Sequence, residues 1–189
     1  MLRKVTFFYF FKNFPKKGKN LKKIISIIPL CPEILDRREV IMESYEINKD
    51  TCAVIGVNDN VTKIIEGEDE YYVDKNCYEV MEDSCQYYGS SCEGRMKGSK
   101  NIMGSNYKLP IVVEESNDII FFPTESPSSP NCVWFSLNNV EKYERCEGFT
   151  KVTFVSGKEL IVKMSLSSFE NQILRANRLG SLIRRRINF

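Results

Sequence analysis

The chain contains no histidine. That absence removes Ser-His-Asp and Cys-His catalysis, imidazole ligation of zinc and histidine proton shuttling. Cysteine occurs at positions 31, 52, 77, 85, 92, 132 and 146, never as C-x-x-C. The tightest spacings, Cys77 to Cys85 and Cys85 to Cys92, match neither a zinc ribbon nor a knuckle, so no metal or cofactor is expected. An odd number of scattered cysteines fits reduced thiols in a cytosolic protein better than a secreted disulfide framework. A nucleophile at Cys85 or Cys92 would have no histidine base and no obvious paired acid, and no enzyme is expected. Long apolar runs are missing too. "VTFFYFF" (5–11) and "IISIIPL" (24–30) fall far short of the roughly 20 residues that cross a bilayer, and no membrane partner is expected.

Charge is present but unevenly spread. The net of +2 over 189 residues conceals ten Lys/Arg against three Asp/Glu in residues 1–41, and 17 against 22 in residues 42–189. The first segment, with Lys16, Lys17, Lys19, Lys22 and Lys23 between its apolar runs, admits three readings. A lipoprotein-like signal ending at Cys31 lacks the small residue expected at Pro29 or Leu30. A basic membrane-surface segment is the second reading. The favoured one is an unstructured leader or an over-extended reading frame, with Met42 as an alternative start. The remainder, 42–189, is acidic on average, which argues against smeared nonspecific binding to nucleic acid and leaves room for local basic clusters.

From Tyr45 onward, turn signals recur every 8–12 residues between short runs rich in β-branched and aromatic residues. "CAVIGV", "TKIIE", "EYYVD", "CQYY", "PIVVE", "DIIFF", "CVWFS" and "KVTFV" read as strands. Ser156-Gly157 between "KVTFV" and "KELIVKM" signals a hairpin. The three prolines of "PTESPSSPN" (123–131) mark a semi-rigid surface loop. Helical periodicity is convincing only over 166–186, where Phe169, Ile173, Ala176 and Leu179/Gly180 share a face, with Ser167 and Glu170 as a capping box. The expectation is an α+β fold: a mostly antiparallel β domain closed by a C-terminal amphipathic helix, with no helix-turn-helix.

Two basic islands stand out on this acidic domain. "YYGSSCEGRMKGSK" (87–100) has Gly89 and Gly94 spaced as in a Walker loop, but Arg95 and Met96 replace its Lys and hydroxyl. A following helix would have to run through Gly98 and Gly104, each unfavourable by up to ~1 kcal/mol. The segment therefore reads as a Gly-rich loop, with Arg95, Lys97, Lys100 and Lys108 and no acid between 95 and 108. The second island, 175–186, holds five Arg and no acid. Two islands suggest a polyanion gripped at defined places; the alternative is ordinary solvated surface.

"ESYEIN" (43–48), "SCQYYGSSCEGR" (84–95), "IIFFPTESPSSPNCVW" (119–134) and "SFENQILR" (168–175) occur in this order and spacing. Together they resemble the ComK family, the competence transcription factors of bacilli and their relatives, across 43–180. The resemblance implies a bacterial cytoplasmic, nucleoid-associated activator of competence and DNA-uptake genes. It also implies double-stranded DNA as partner, in paired A/T-rich boxes read through the minor groove by dimers or dimers of dimers. Arg95, Lys97 and Lys100 from the loop, and Asn171, Arg175 and Arg178 from the helix, are the candidate contacts, with Arg184, Arg185 and Arg186 in support. Tyr87, Tyr88, Phe121, Phe122 and Trp134 could stack on bases, but in strand contexts they read as core. Longer members continue into a tail resembling a site for activation and for capture by a Clp-protease adaptor. This chain stops at "RRRINF", which leaves open both activation through such a tail and capture by the adaptor. The second functional reading is a shortened paralogue that hetero-oligomerises with a full-length partner and damps it.

Overall fold

The computed structural model describes residues 41–104 and 107–187; the leader reading of residues 1–41 falls outside it except for Ile41. The strands are β1 (Ile41–Met42), β2 (Thr51–Gly56), β3 (Thr62–Glu66), β4 (Asp69–Val73), β5 (Ile111–Glu114), β6 (Ile119–Pro123), β7 (Val133–Ser136), β8 (Val140–Cys146), β9 (Phe149–Phe154) and β10 (Glu159–Val162). The helices are α1 (Cys77–Tyr87), α2 (Cys92–Met103) and α3 (Leu166–Ile187).

A seven-stranded sheet in the order β1-β4-β3-β2-β7-β6-β5 forms the middle of the molecule. Its pairs are antiparallel except β1 with β4. Its central strands are apolar at consecutive positions because both faces are covered, and successive side chains alternate between them. Val54, Phe121 and Trp134 face one layer, which includes α1 and the start of α2. Ala53, Phe122 and Phe135 face the other, made by α3 and the small sheet β10-β9-β8. The Ser156-Gly157 hairpin joins β9 to β10 with Glu159 opposite Thr153, and Gly157 supplies the positive φ (82°) of the turn.

Three local expectations are corrected. "CQYY" is not a strand: it closes α1, where Cys77, Val80, Met81, Ser84 and Cys85 are buried at helical spacing. Asn76 caps this helix, accepting from the Glu79 N–H at 3.0 Å while the Glu79 carboxylate accepts from the Asn76 N–H at 2.8 Å. The Gly-rich segment is not a loop either. Helix α2 runs straight through Gly94 and Gly98, starts at Ser91, whose hydroxyl accepts from the Gly94 N–H, and stops at Gly104 in the left-handed region (φ 67°). Burial of Cys92 and Ser99 outweighs the cost of two glycines. The capping hydroxyl of α3 is that of Ser165, which accepts from the Ser168 N–H at 3.3 Å, rather than that of Ser167.

The four motifs dock on one another in pairs. The Ser84 hydroxyl accepts from the Ile47 N–H at 3.1 Å, and the Tyr88 hydroxyl donates to the Ile47 carbonyl at 3.0 Å, joining "ESYEIN" to "SCQYY". The Phe169 ring lies 5.5 Å from that of Phe122, and buried Gln172 donates to the Pro123 carbonyl at 2.6 Å, joining "SFENQILR" to "IIFFP". Much of the resemblance is therefore carried by internal docking, which is what holds α2 and α3 in place.

Candidate nucleic-acid interface

Helix α2 turns Cys92 and Ser99 inward, with Met96 packed beside Cys92 and with Ile102 and Met103 on the cluster that holds Phe169, Ala176 and Leu179 of α3. Its C-terminal half thus lies next to α3, and the two islands, some 80 residues apart in sequence, sit on neighbouring helices. Exposed on α2 are Glu93, Gly94, Lys97, Gly98, Lys100 and Asn101. Lys97 pairs with Glu93 one turn back at 2.8 Å, and that partner holds the Glu93 carboxyl below its usual range. Both side chains are about two-thirds exposed (71% and 66%), so the pair is weak and easily exchanged for another anion. Lys100 has no ion-pair partner among the described residues. At Gly98 an added Cβ would meet nothing within 4 Å, so the helix presents bare backbone there.

Helix α3 buries Phe169, Gln172, Ala176, Leu179 and Gly180, the last so close to β6 that a Cβ would stand 2.7 Å from the Ile120 Cδ1. The opposite stripe is exposed: Asn171, Leu174, Arg178, Ser181 and Arg185, with Arg186 beside it. Arg175 sits at the boundary, half-buried, its Nη1 donating to the Gln172 Oε1 at 3.0 Å; desolvation lowers its pKa from the usual value.

Two of the expected contacts are engaged inside the molecule. Arg95 pairs with Glu115, its side chain only 20% exposed and its Nε buried without an acceptor. Arg184 pairs with Asp118 at 3.0 Å. Both acids belong to the turn between β5 and β6, so each basic helix sends one arginine to the same acidic turn. The turn is itself tightly folded: the Glu114 carboxylate accepts from the Ser116 and Asn117 N–H groups, and Asp118 holds a positive φ of 53°. No acid lies between 95 and 108 or between 175 and 186 in sequence, and tertiary structure supplies two. Arg95, largely buried, is placed to position α2, whereas the Arg184–Asp118 pair is itself about half exposed (47% and 45%); Lys97, Lys100, Asn171, Arg178, Arg184, Arg185 and Arg186 all face solvent.

The residue patterns left Asn101 and Leu174 unnoticed. Asn101 lies one turn beyond Lys97 on the same side of α2. Leu174 is 65% exposed in the middle of the α3 stripe, three residues after Asn171 and four before Arg178, a spacing visible in sequence. Of the five candidate stacking residues, Phe121, Phe122 and Trp134 are buried, Tyr88 is half-buried and Tyr87 is open, at 68% exposure. Five of the six described cysteines are buried, and the Cys92 hydrogen bond, with the nearby Arg95, holds the Cys85 thiol below its usual range. Cys85 and Cys92 have no exposed surface, and the hydrogen bond between them, with burial, pushes the Cys92 thiol up. Burial likewise pushes Cys132 up to about 11.

Among the described residues no helix is long and apolar enough to cross a membrane. The family model described as ComK protein matches residues 42–188. A protein named competence transcription factor, from Bacillus subtilis (strain 168), is 36% identical over 151 residues, covering 78% of this chain and 79% of that protein. No solved structure matches the chain.

Proposed function

Because the chain belongs to the ComK family, we propose that it is a sequence-specific DNA-binding regulator of transcription, an activator of competence genes that contacts A/T-rich duplexes from the minor-groove side through α2 and α3. One observation carries the reading. Lys97, Lys100, Asn171, Arg178, Arg185 and Arg186 all face solvent on two adjoining helices of a domain that is otherwise net acidic.

An α-helix with side chains is about 10–12 Å across and a B-form minor groove only about 6 Å wide, so neither helix sinks into the groove. Long side chains can reach in from above it. Arg178 and Arg185 suit the strongly negative potential of a narrow A-tract groove, and Asn171 suits the acceptors on its floor. Lys97 and Lys100 suit flanking phosphates, and the bare backbone at Gly98 permits close approach. The exposed Leu174 adds apolar contact in the middle of this polar stripe. Paired boxes fit occupation by an oligomer, in the cytoplasm and on the nucleoid.

The salt dependence of binding tests the assignment. On an A/T-box duplex, Arg178→Ala and Arg185→Ala should each weaken binding and flatten the slope of log K against log salt by up to roughly 0.9, because each removes one positive charge that displaces counterions at the groove. Glu125→Gln, remote in sequence from both helices, should leave the slope unchanged. Equal slopes for parent and both arginine variants would remove α3 from the interface.

A further inference from the structure

Strand β8 runs along the edge of the three-stranded sheet, and among the described residues no strand pairs with its outer side. Such an edge presents unpaired backbone donors and acceptors to another strand. Its sequence, Val140-Glu141-Lys142-Tyr143-Glu144-Arg145-Cys146, is self-complementary when reversed about Tyr143. In that register Lys142 meets Glu144, Glu141 meets Arg145, Val140 meets Cys146, and Tyr143 meets its own copy. Moving the axis to either neighbouring residue sets Lys142 against Lys142 or Glu144 against Glu144, which is unfavourable.

The outward face is already patterned for continuation. Glu144 lies 3.1 Å from Lys142 and 2.6 Å from Lys151, and Lys151 lies 3.3 Å from Glu159. Opposite charges therefore alternate from β8 across β9 to β10. A second copy would extend the series, placing its Lys142 against Glu144 and its Glu144 against Lys142. The register shift between Val140 and Lys142 bends one end of the strand, while Lys142 to Cys146 pair regularly with β9. Such a bend discourages arbitrary strand partners and leaves regular the centre of the self-complementary register, Lys142-Tyr143-Glu144. Tyr143 turns its ring inward, 5.4 Å from that of Phe169, so the outer contacts fall to the charged residues.

We propose that β8 is the surface through which two copies of this chain associate, their β8 strands pairing antiparallel about Tyr143 to join two three-stranded sheets into one of six strands. The partner is a second copy of this chain, and the inference rests on the functional reading above only for the expectation that the protein acts as an oligomer.

Sedimentation equilibrium of the full chain without DNA tests this, using K142E, E144K, the double swap K142E/E144K, and an equimolar mixture of the two single variants. By symmetry each single reversal creates two like-charge pairs per dimer. Each should weaken association on the order of tenfold. The double swap restores opposite charges and should return association to near the parent value. In the mixture, a K142E chain meets an E144K chain with every pair matched, so two variants that associate poorly alone should associate with each other. That outcome also excludes misfolding as the cause of the single-variant losses. A parent that stays monomeric at every concentration overturns both the oligomer expectation and this interface. A parent that associates while the single reversals change nothing, or while the swap and the mixture fail to restore association, overturns the β8 interface alone.

Discussion

Gln172 is the polar pin between α3 and the central sheet, and Gln172→Leu isolates its contribution. The side chain is 4% exposed; its amide donates to the Pro123 carbonyl at 2.6 Å and to the Lys108 carbonyl at 3.2 Å, and its oxygen accepts from Arg175. Leucine fills nearly the same volume, so the packing loss is small and the loss of donors dominates. The buried Pro123 carbonyl is left without its donor, at a cost of about 1–3 kcal/mol. The half-buried Lys108 carbonyl loses a longer bond and can recruit water, adding about 1 kcal/mol or less. Arg175 is exposed enough to be rehydrated. The sum, roughly 1–4 kcal/mol, should lower the thermal midpoint by roughly 2–15 °C for a domain of this size, read by circular dichroism or calorimetry. Because Phe169, Ala176 and Leu179 still dock the helix, the salt slope of DNA binding below the transition should be unchanged. A variant within 0.5 °C of the parent would refute the claim that this amide anchors α3.

Gly56→Ala should destabilise by roughly 2 kcal/mol or more, measured by urea unfolding, because the added Cβ would stand 2.2 Å from the backbone oxygen of Pro130 and force β2 away from the proline loop. A fully stable variant would mean that the loop yields freely. Burial raises the Glu70 pKa, but Lys63 at 2.7 Å and Lys158 at 2.9 Å more than offset it and hold the carboxyl below its usual range. A lowered folded-state pKa contributes stability that is complete above the unfolded carboxylate value and is lost as pH falls through the lowered one. The Tm gap between parent and Glu70→Gln should therefore be present near neutrality and close below the ordinary carboxylate range; a gap that widens with acid would contradict this. Glu115→Gln, which unpairs Arg95, should reduce stability more than it changes the salt slope, since Arg95 is 20% exposed.

The strands were legible because their signal is local. "TKIIE" and "DIIFF" are short apolar β-branched and aromatic runs bounded by turns, and they became β3 and β6. Helix α1 was equally local, in the Asn76–Glu79 box and the burial spacing of Cys77, Val80, Met81 and Cys85, but the aromatic pair at its end outweighed it. Helix α2 was not legible, because Gly94 and Gly98 lower its intrinsic propensity and only tertiary burial of Cys92 and Ser99 restores it. Strand β8 hid behind its charges, which an exposed edge tolerates and a buried strand does not. At the interface, the charged residues were visible one by one, and their division of labour was not. That Arg95 and Arg184 close on Glu115 and Asp118 depends on separations of 20 and 66 residues.

The central claim is tested most directly by fluorescence anisotropy of the full chain on a duplex carrying two A/T boxes. A G·C-substituted duplex of equal length serves as control, with a minor-groove-binding competitor added to each. The account predicts tight binding to the A/T duplex that weakens sharply on substitution, is displaced by the competitor and falls steeply with salt. Equal affinity for both duplexes, untouched by the competitor, would contradict it.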